Sequence, residues 1–200
     1  MEQDPKEYVS LYIASHGKRS HHFPGYFKAL FLKSKVQRQR FHSVPRIFAT
    51  GGGVMGQPLV DEIESRALQA HPKRQYIVVC SGDNNIRRGQ TVSDLLPYFS
   101  QIVAKVEAIP YCRVVFTSLV PTFGRDEQTR EEFKKMEDAL RTLSNTSPKA
   151  SFCSFVPKLM VRGKLHEDFF EDDVHLSPAG AKILAECIHR HLENKPRIKE

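Results

Sequence analysis

Apolar runs of about six residues alternate along this chain with longer stretches whose apolar positions recur at helical spacing. Val9-Ser10-Leu11-Tyr12-Ile13-Ala14 is β-branched and aromatic and ends at Ser15-His16-Gly17, which predicts a buried first strand opening into a loop. Arg46-Ile47-Phe48-Ala49-Thr50, stopped by Gly51-Gly52-Gly53, predicts a second strand. Gln75-Tyr76-Ile77-Val78-Val79-Cys80-Ser81 is continuously apolar after its first residue, as central strands of parallel sheets are, and it ends in Gly82-Asp83-Asn84-Asn85. Arg113 to Val120, closed by Pro121, and Ser151 to Val156 complete the set.

The intervening segments read as helices. Pro24 stands where a helix can begin, and Tyr26, Phe27, Leu30 and Phe31 recur at helical spacing through Lys35, leaving the lysines on the other face. Further helices are predicted from Pro58 to about Ala70, from Thr91 through Val106, and from Glu127 to Leu143, with Phe133, Met136, Leu140 and Leu143 inward. Ser177 as N-cap and Pro178 at the first helical position open a last helix with Ile183, Leu184, Cys187, Ile188 and Leu192 buried. Strand-helix alternation without internal repeats predicts an α/β fold, three layers around a mainly five-stranded parallel sheet. A length of 200 residues with 40% hydrophobic content fits one domain over 1–200, with 195–200 a frayed basic tail.

Charge adds a second theme. The net charge is +7, and from Tyr8 to Val60 there is no acidic residue while Lys18, Arg19, Lys28, Lys33, Lys35, Arg38, Arg40 and Arg46 all fall there. A field of one sign attracts polyanions, nucleic acid first among them, although a basic face can also serve solubility alone. Lys33, Lys35, Arg38, Arg40, His42 and Arg46 are the candidate RNA contacts, with Phe41 or His42 able to stack on a base or Phe41 simply core. Arg87 and Arg88, just beyond Asn84, would extend that surface. The four cysteines lie far apart and three sit in apolar runs, which fits reduced core thiols in a cytoplasmic or nuclear setting, cytoplasmic being the expectation. No run reaches membrane-spanning length, and apart from Asp172 and His175 no histidine pairs with a Cys or carboxylate at metal spacing, so neither membrane, metal nor cofactor is expected.

The candidate chemistry lies near the C-terminus, in Glu171-Asp172-Asp173-Val174-His175-Leu176-Ser177-Pro178. An acid three residues before a histidine can hold the imidazole as a general base. Together the blocks resemble those of the SGNH (GDSL) hydrolases: Gly82-Asp83-Asn84 resembles the Gly-x-Asn block and Asp172 to His175 the final Asp-x-x-His block. The resemblance implies the flavodoxin-like strand order and an oxyanion site from Asn84 and a backbone amide among Gly51 to Gly53, Gly52 being the middle choice. Where the pattern has Gly-Asp-Ser, this chain has Ala14-Ser15-His16, which leaves Ser15 as nucleophile or His16 in the serine's place. With its basic N-terminal third, the chain is similar to the OSK domain of insect Oskar proteins. That implies an RNA-binding pseudo-hydrolase of germ plasm, with messenger RNA and granule proteins as partners. Esterase domains of some retrotransposons are a second relative, which implies an active esterase using Ser15, Asp172 and His175.

Overall fold

The structure, a computed structural model, describes residues 6–13, 22–33, 40–41, 45–49, 54–69, 74–123 and 126–198. Five strands, β1 (Tyr8–Ile13), β2 (Arg46–Ala49), β3 (Gln75–Cys80), β4 (Cys112–Thr117) and β5 (Ala150–Cys153), form one sheet in the order β2-β1-β3-β4-β5. Every neighbouring pair is parallel. The helices are α1 (His22–Lys33), α2 (Gln57–Ile63), α3 (Asp83–Arg87), α4 (Val92–Glu107), α5 (Glu127–Asn145) and α6 (Pro178–Glu193). This is the three-layer α/β fold that the alternation predicts, in the flavodoxin-like order that the resemblance implies.

Side-chain alternation along the strands builds a core on each face. Leu11, Ile13, Val78 and Val115 point toward α1 and α6, whereas Tyr12, Ile77, Val79, Val114 and Phe116 point toward α2, α4 and α5. All six residues of β3 are buried, which is why its sequence reads as an unbroken apolar run rather than an alternation. Phe23, Phe27 and Phe31 lie four residues apart on one face of α1, Phe23 stacked on Phe27 at 5.7 Å and Phe27 edge to face with Phe31 at 5.1 Å between ring centroids. Phe41 closes the row at 5.4 Å from Phe31 and is 1% exposed, so of its two readings the core one holds. All four cysteines are buried thiols, and burial pushes Cys80 up to about 12.

The elements depart from expectation at their ends. The fourth strand stops at Thr117 and the fifth at Cys153. Beyond Cys153 the chain turns into a 3-10 turn at Val156–Leu159 with Pro157 inside, a residue that cannot donate to a strand ladder. The helix begun at Gln57 continues from Glu64 to Gln69 in wider π turns. Gly82 to Asn85, read as loop, is largely the short helix α3. The antiparallel pair β6 (Met160–Val161) and β7 (Lys164–Leu165) carries no apolar periodicity long enough to announce it.

A larger departure concerns the supposed frayed tail. Glu7, just before β1, accepts from Arg40 Nε at 2.6 Å and from the Ile198 backbone N–H at 2.6 Å. Arg40 also donates to the Glu193 and Pro196 carbonyls, and Tyr76 Oη donates to Pro196 at 3.0 Å. Ile198 is 3% exposed, so the tail is docked through Ile198 by a buried ion pair rather than loose. Removing one partner of such a pair strands the other charge and costs about 3–5 kcal/mol, whereas replacing both by apolar residues costs far less. Urea unfolding of Arg40→Met is therefore expected to show a loss of that size, with Glu7→Leu/Arg40→Met recovering most of it. A loss for Arg40→Met below about 1 kcal/mol, the range of exposed pairs, would contradict this docking.

Candidate active site

The strand order turns back on itself between β1 and β3, and open α/β sheets keep their sites in the crevice beyond the C-terminal ends of strands at such a reversal. Asn84 stands there, in the first turn of α3. Its Oδ1 accepts from Arg87 Nη2 at 2.5 Å, and the same nitrogen donates to Asp83 Oδ2 at 2.7 Å. Because an amide's oxygen and nitrogen diverge from one carbon within a single plane, a tethered Oδ1 also fixes the direction of the Nδ2 donors, away from Arg87. Gly82 carries φ of 116°, a left-handed conformation that glycine adopts without strain, and a Cβ there would meet Leu119 at 3.5 Å and Phe99 at 3.6 Å.

Asn85 does work that the sequence reading did not assign. Its side chain is buried and pairs with the Met55 backbone in both directions, accepting from Met55 N–H and donating to Met55 carbonyl, each at 2.8 Å. Nδ2 also donates to Gln90 Oε1 at 2.6 Å. The segment that follows the glycines is thereby fixed to α3. The available signal was the second asparagine in a strand-end pair, a residue type that commonly bonds nearby backbone.

His175 approaches on the loop before α6. Asp172 Oδ1 accepts from the backbone N–H groups of Val174 and His175 at 2.8 and 2.7 Å, and the His175 ring Nδ1 lies 2.9 and 2.7 Å from its two oxygens. Burial works to raise the Asp172 carboxyl, but the Val174 N–H, the imidazole and the His175 N–H together outweigh it and hold the group at about 2. An ionised carboxylate only accepts, so Nδ1 carries a proton, and in the tautomer this selects the lone pair is on Nε2. The imidazole is 11% exposed and the carboxylate 50%.

The loop itself is tied on both sides. Phe123 N–H donates to the Asp173 carbonyl at 3.0 Å, and the Phe123 and Phe170 rings meet edge to face at 4.7 Å. Ser177 caps α6 by accepting from Gly180 N–H and donates to the Asp168 carbonyl at 2.6 Å. Gly180 is required by space, since a Cβ there would collide with the Phe169 carbonyl oxygen. Beside Leu119 an open groove of about 300 Å³ runs between the loop after β4 and α5, with Phe133 and Val156 on its apolar wall and Lys134 and Glu137 on its rim.

The basic residues fare unevenly. Arg40 and Arg87, both expected at a surface, are inside: Arg40 is paired with Glu7, and the Arg87 side chain is 7% exposed against Asp83. A guanidinium bound this way is not offered to phosphate. Arg46 is half-buried over the Tyr8 ring, 5.6 Å from its centroid, at the start of β2, while exposed Arg88 lies beyond the C-terminal end of β3. In a parallel sheet those are opposite ends, so Arg88 does not extend a surface that starts at Arg46. Lys33 ends α1, with its side chain outside the described residues. Ser15, His16, Lys35, Arg38, His42 and Gly51 to Gly53 lie outside the described residues altogether.

A family model for GDSL-like lipases and acylhydrolases matches residues 14–183. The chain belongs to the GDSL-like lipase/acylhydrolase family. Its fold is similar to that of a lipolytic G-D-S-L family protein from Veillonella parvula (TM-score 0.70, 11% identity, 94% of this chain and 100% of that one). It is also similar to an acetylxylan esterase from Geobacillus stearothermophilus (0.67, 12%, 100% of both chains). A carbohydrate acetylesterase from Sinorhizobium meliloti gives 0.65 at 13% identity, over 93% of this chain and 98% of that one. No curated protein sequence matches the chain. Among the described residues no group of three or more His, Cys, Asp or Glu could hold a metal ion, and no helix is long and apolar enough to cross a membrane.

The Asp172 environment has a pH consequence. A carboxyl lowered from 3.8 to about 2 contributes stability that is present above about pH 4 and is lost as pH falls toward 2. Carbon-detected NMR titration of Asp172 is expected to give a midpoint near 2, moving toward the ordinary value in His175→Ala. A midpoint near 3.8 in the unaltered protein would contradict the hydrogen-bonded loop.

Proposed function

We propose that this chain is a carboxylic-ester hydrolase acting on small acyl esters, with His175 as general base. The observation that carries this reading is the ionised Asp172 bound to Nδ1 of a mostly buried imidazole, which leaves Nε2 as the basic atom. In this reading the Ser15 hydroxyl attacks the ester carbonyl carbon while Nε2 takes its proton. The oxyanion is met by Asn84 Nδ2 and a backbone amide among Gly51 to Gly53. Nε2 then returns the proton to the leaving alkoxide, and water, deprotonated by the same nitrogen, releases the acid from the acyl-serine. Arg87 supports the arrangement from behind by fixing Asn84 Oδ1.

Hydrolysis of p-nitrophenyl acetate tests it. Turnover is expected in the unaltered protein, with kcat falling roughly 10⁴-fold or more in both Ser15→Ala and His175→Ala. Turnover that survives Ser15→Ala but not His175→Ala would remove Ser15 from the nucleophile role, and no turnover above buffer would end the hydrolase reading.

A second reading is kept because Ala14-Ser15-His16 replaces Gly-Asp-Ser. In it the chain is an RNA-binding pseudo-hydrolase, cytoplasmic and possessing messenger RNA and granule proteins as partners, as the Oskar resemblance implies for germ plasm. With Arg40 and Arg87 committed inside, its contacts reduce to Lys33, Lys35, Arg38, His42, Arg46 and Arg88. This reading expects RNA affinity to fall by orders of magnitude between 50 and about 300 mM salt, and to be lost in Lys35→Glu/Arg38→Glu. Affinity indifferent to both would dismiss it.

A further inference from the structure

Between β5 and the dyad loop the chain extends a small hairpin. Leu159, 0% exposed, and the half-buried Leu165 anchor it in the core, and His166 N–H donates to the Leu159 carbonyl at 3.0 Å to close its base. From there Met160 pairs with Leu165 and Val161 with Lys164, and Arg162-Gly163 makes the turn. At about 3.4 Å per residue the tip stands roughly 10 Å beyond the base. Both turn residues have positive φ, 52° for Arg162 and 77° for Gly163, the geometry of a two-residue hairpin turn of the left-handed kind. Asn, Asp or Gly adopt the first of these positions at least cost, so an arginine there sets a cation at the outermost point at a cost of about 1 kcal/mol.

The composition of this hairpin is unlike that of an ordinary solvated turn. Met160 and Val161 are 38% and 46% exposed, two of the four large apolar residues exposed among those described. Arg162 and Lys164 are exposed beside them, Lys158 reaches back to the Cys187 thiol on α6, and no acid occurs from Phe155 to His166. The acids begin at Glu167, on the body side of the hairpin's base. Apolar side chains ringed by cations are complementary to a surface with an anionic outer layer and a hydrocarbon layer beneath it. Nucleic acid fits less well: single strands are held by aromatic side chains stacked on bases, and from Pro157 to Leu165 there is no aromatic residue.

We propose that the 159–166 hairpin is a docking element for anionic lipid surfaces, with Met160 and Val161 entering the headgroup boundary and Arg162 and Lys164 meeting lipid phosphates and carboxylates. Each cation near such a surface contributes about 1 kcal/mol, so the contact is weak and reversible and reinforced by the chain's positive charge. The proposal does not rest on the hydrolase reading, because it concerns binding alone. The hairpin does lead directly into the dyad loop, since Phe169 N–H donates to the His166 carbonyl and Ser177 N–H to the Phe169 carbonyl.

Sedimentation with vesicles tests it, comparing phosphatidylcholine alone with phosphatidylcholine holding roughly a third phosphatidylserine. Binding is expected only to the anionic vesicles, weakening with salt, falling roughly tenfold in Met160→Ser/Val161→Ser and disappearing in Arg162→Glu/Lys164→Glu. All four side chains are exposed, and unchanged thermal unfolding of each variant checks that the fold is kept. A Val161→Trp reporter, in a chain with no tryptophan of its own, is expected to shift its fluorescence to the blue on anionic vesicles. Binding unaffected by Met160→Ser/Val161→Ser would overturn the proposal in favour of general charge attraction. No binding to vesicles, together with polyuridylate binding lost in Arg162→Glu/Lys164→Glu, would overturn it in favour of RNA.

Discussion

The reversal of strand order between β1 and β3 is the constraint on which the rest of the arrangement depends. The chain leaves β1, crosses to β2 at one edge, and returns to the other side of β1 as β3, so the connections after β1 and β3 leave in opposite directions. That opens a crevice above two adjacent strand ends. Asn84 and its support from Arg87 follow from where β3 stops, and β1 stops at Ile13, two residues before Ser15. The last loop need only reach the same end of the sheet, and it is brought there by Phe123, Phe170 and the capped start of α6.

Buried charge in this molecule is used to tie distant parts of the chain together. Glu7 holds Arg40 and Ile198, so one carboxylate joins the start of the first strand, the segment after α1 and the C-terminal tail. Asp83 and Arg87 do the same on a shorter scale around Asn84. Such pairs contribute little net stability over apolar packing, but they fail badly when halved, and that makes them fixed points of geometry. Asp172 differs in being half exposed, with three hydrogen-bonded donors around it, which suits a carboxylate whose charge must persist beside an imidazole.

The layers, the strand count and the dyad were legible in the sequence because each has a local signature: unbroken apolar runs, helical spacing, and an Asp-x-x-His turn beside an N-cap; the strand order came only through the family resemblance. What was not legible depended on partners remote in sequence. Nothing in Val36-Gln37-Arg38-Gln39-Arg40 distinguishes Arg40, whose carboxylate lies 33 residues earlier and whose carbonyl partners lie more than 150 residues later. Arg87 reads as a surface charge in the sequence because Gly82-Asp83-Asn84-Asn85 has the composition of a loop, which hides that Asp83 is its i−4 partner in the first turn of a helix. The tail read as frayed for the same reason, since its backbone is satisfied by residues at the other terminus.

These burials also shift the balance between the two functional readings. A phosphate-binding surface draws on every cation that faces solvent, and losing Arg40 and Arg87 to internal pairs removes two of its eight proposed contacts while separating Arg46 from Arg88 across the sheet. The hydrolase reading loses nothing by the same observations. Arg87 gains a role in it, because a guanidinium that fixes Asn84 Oδ1 orients the donors on which an oxyanion would depend. The departure from Gly-Asp-Ser remains the feature that weighs the other way, and it bears on one atom, the Ser15 hydroxyl. Placing that oxygen within hydrogen-bond reach of Nε2 would complete a nucleophile-base-acid relay from residues whose other members are already in mutual contact.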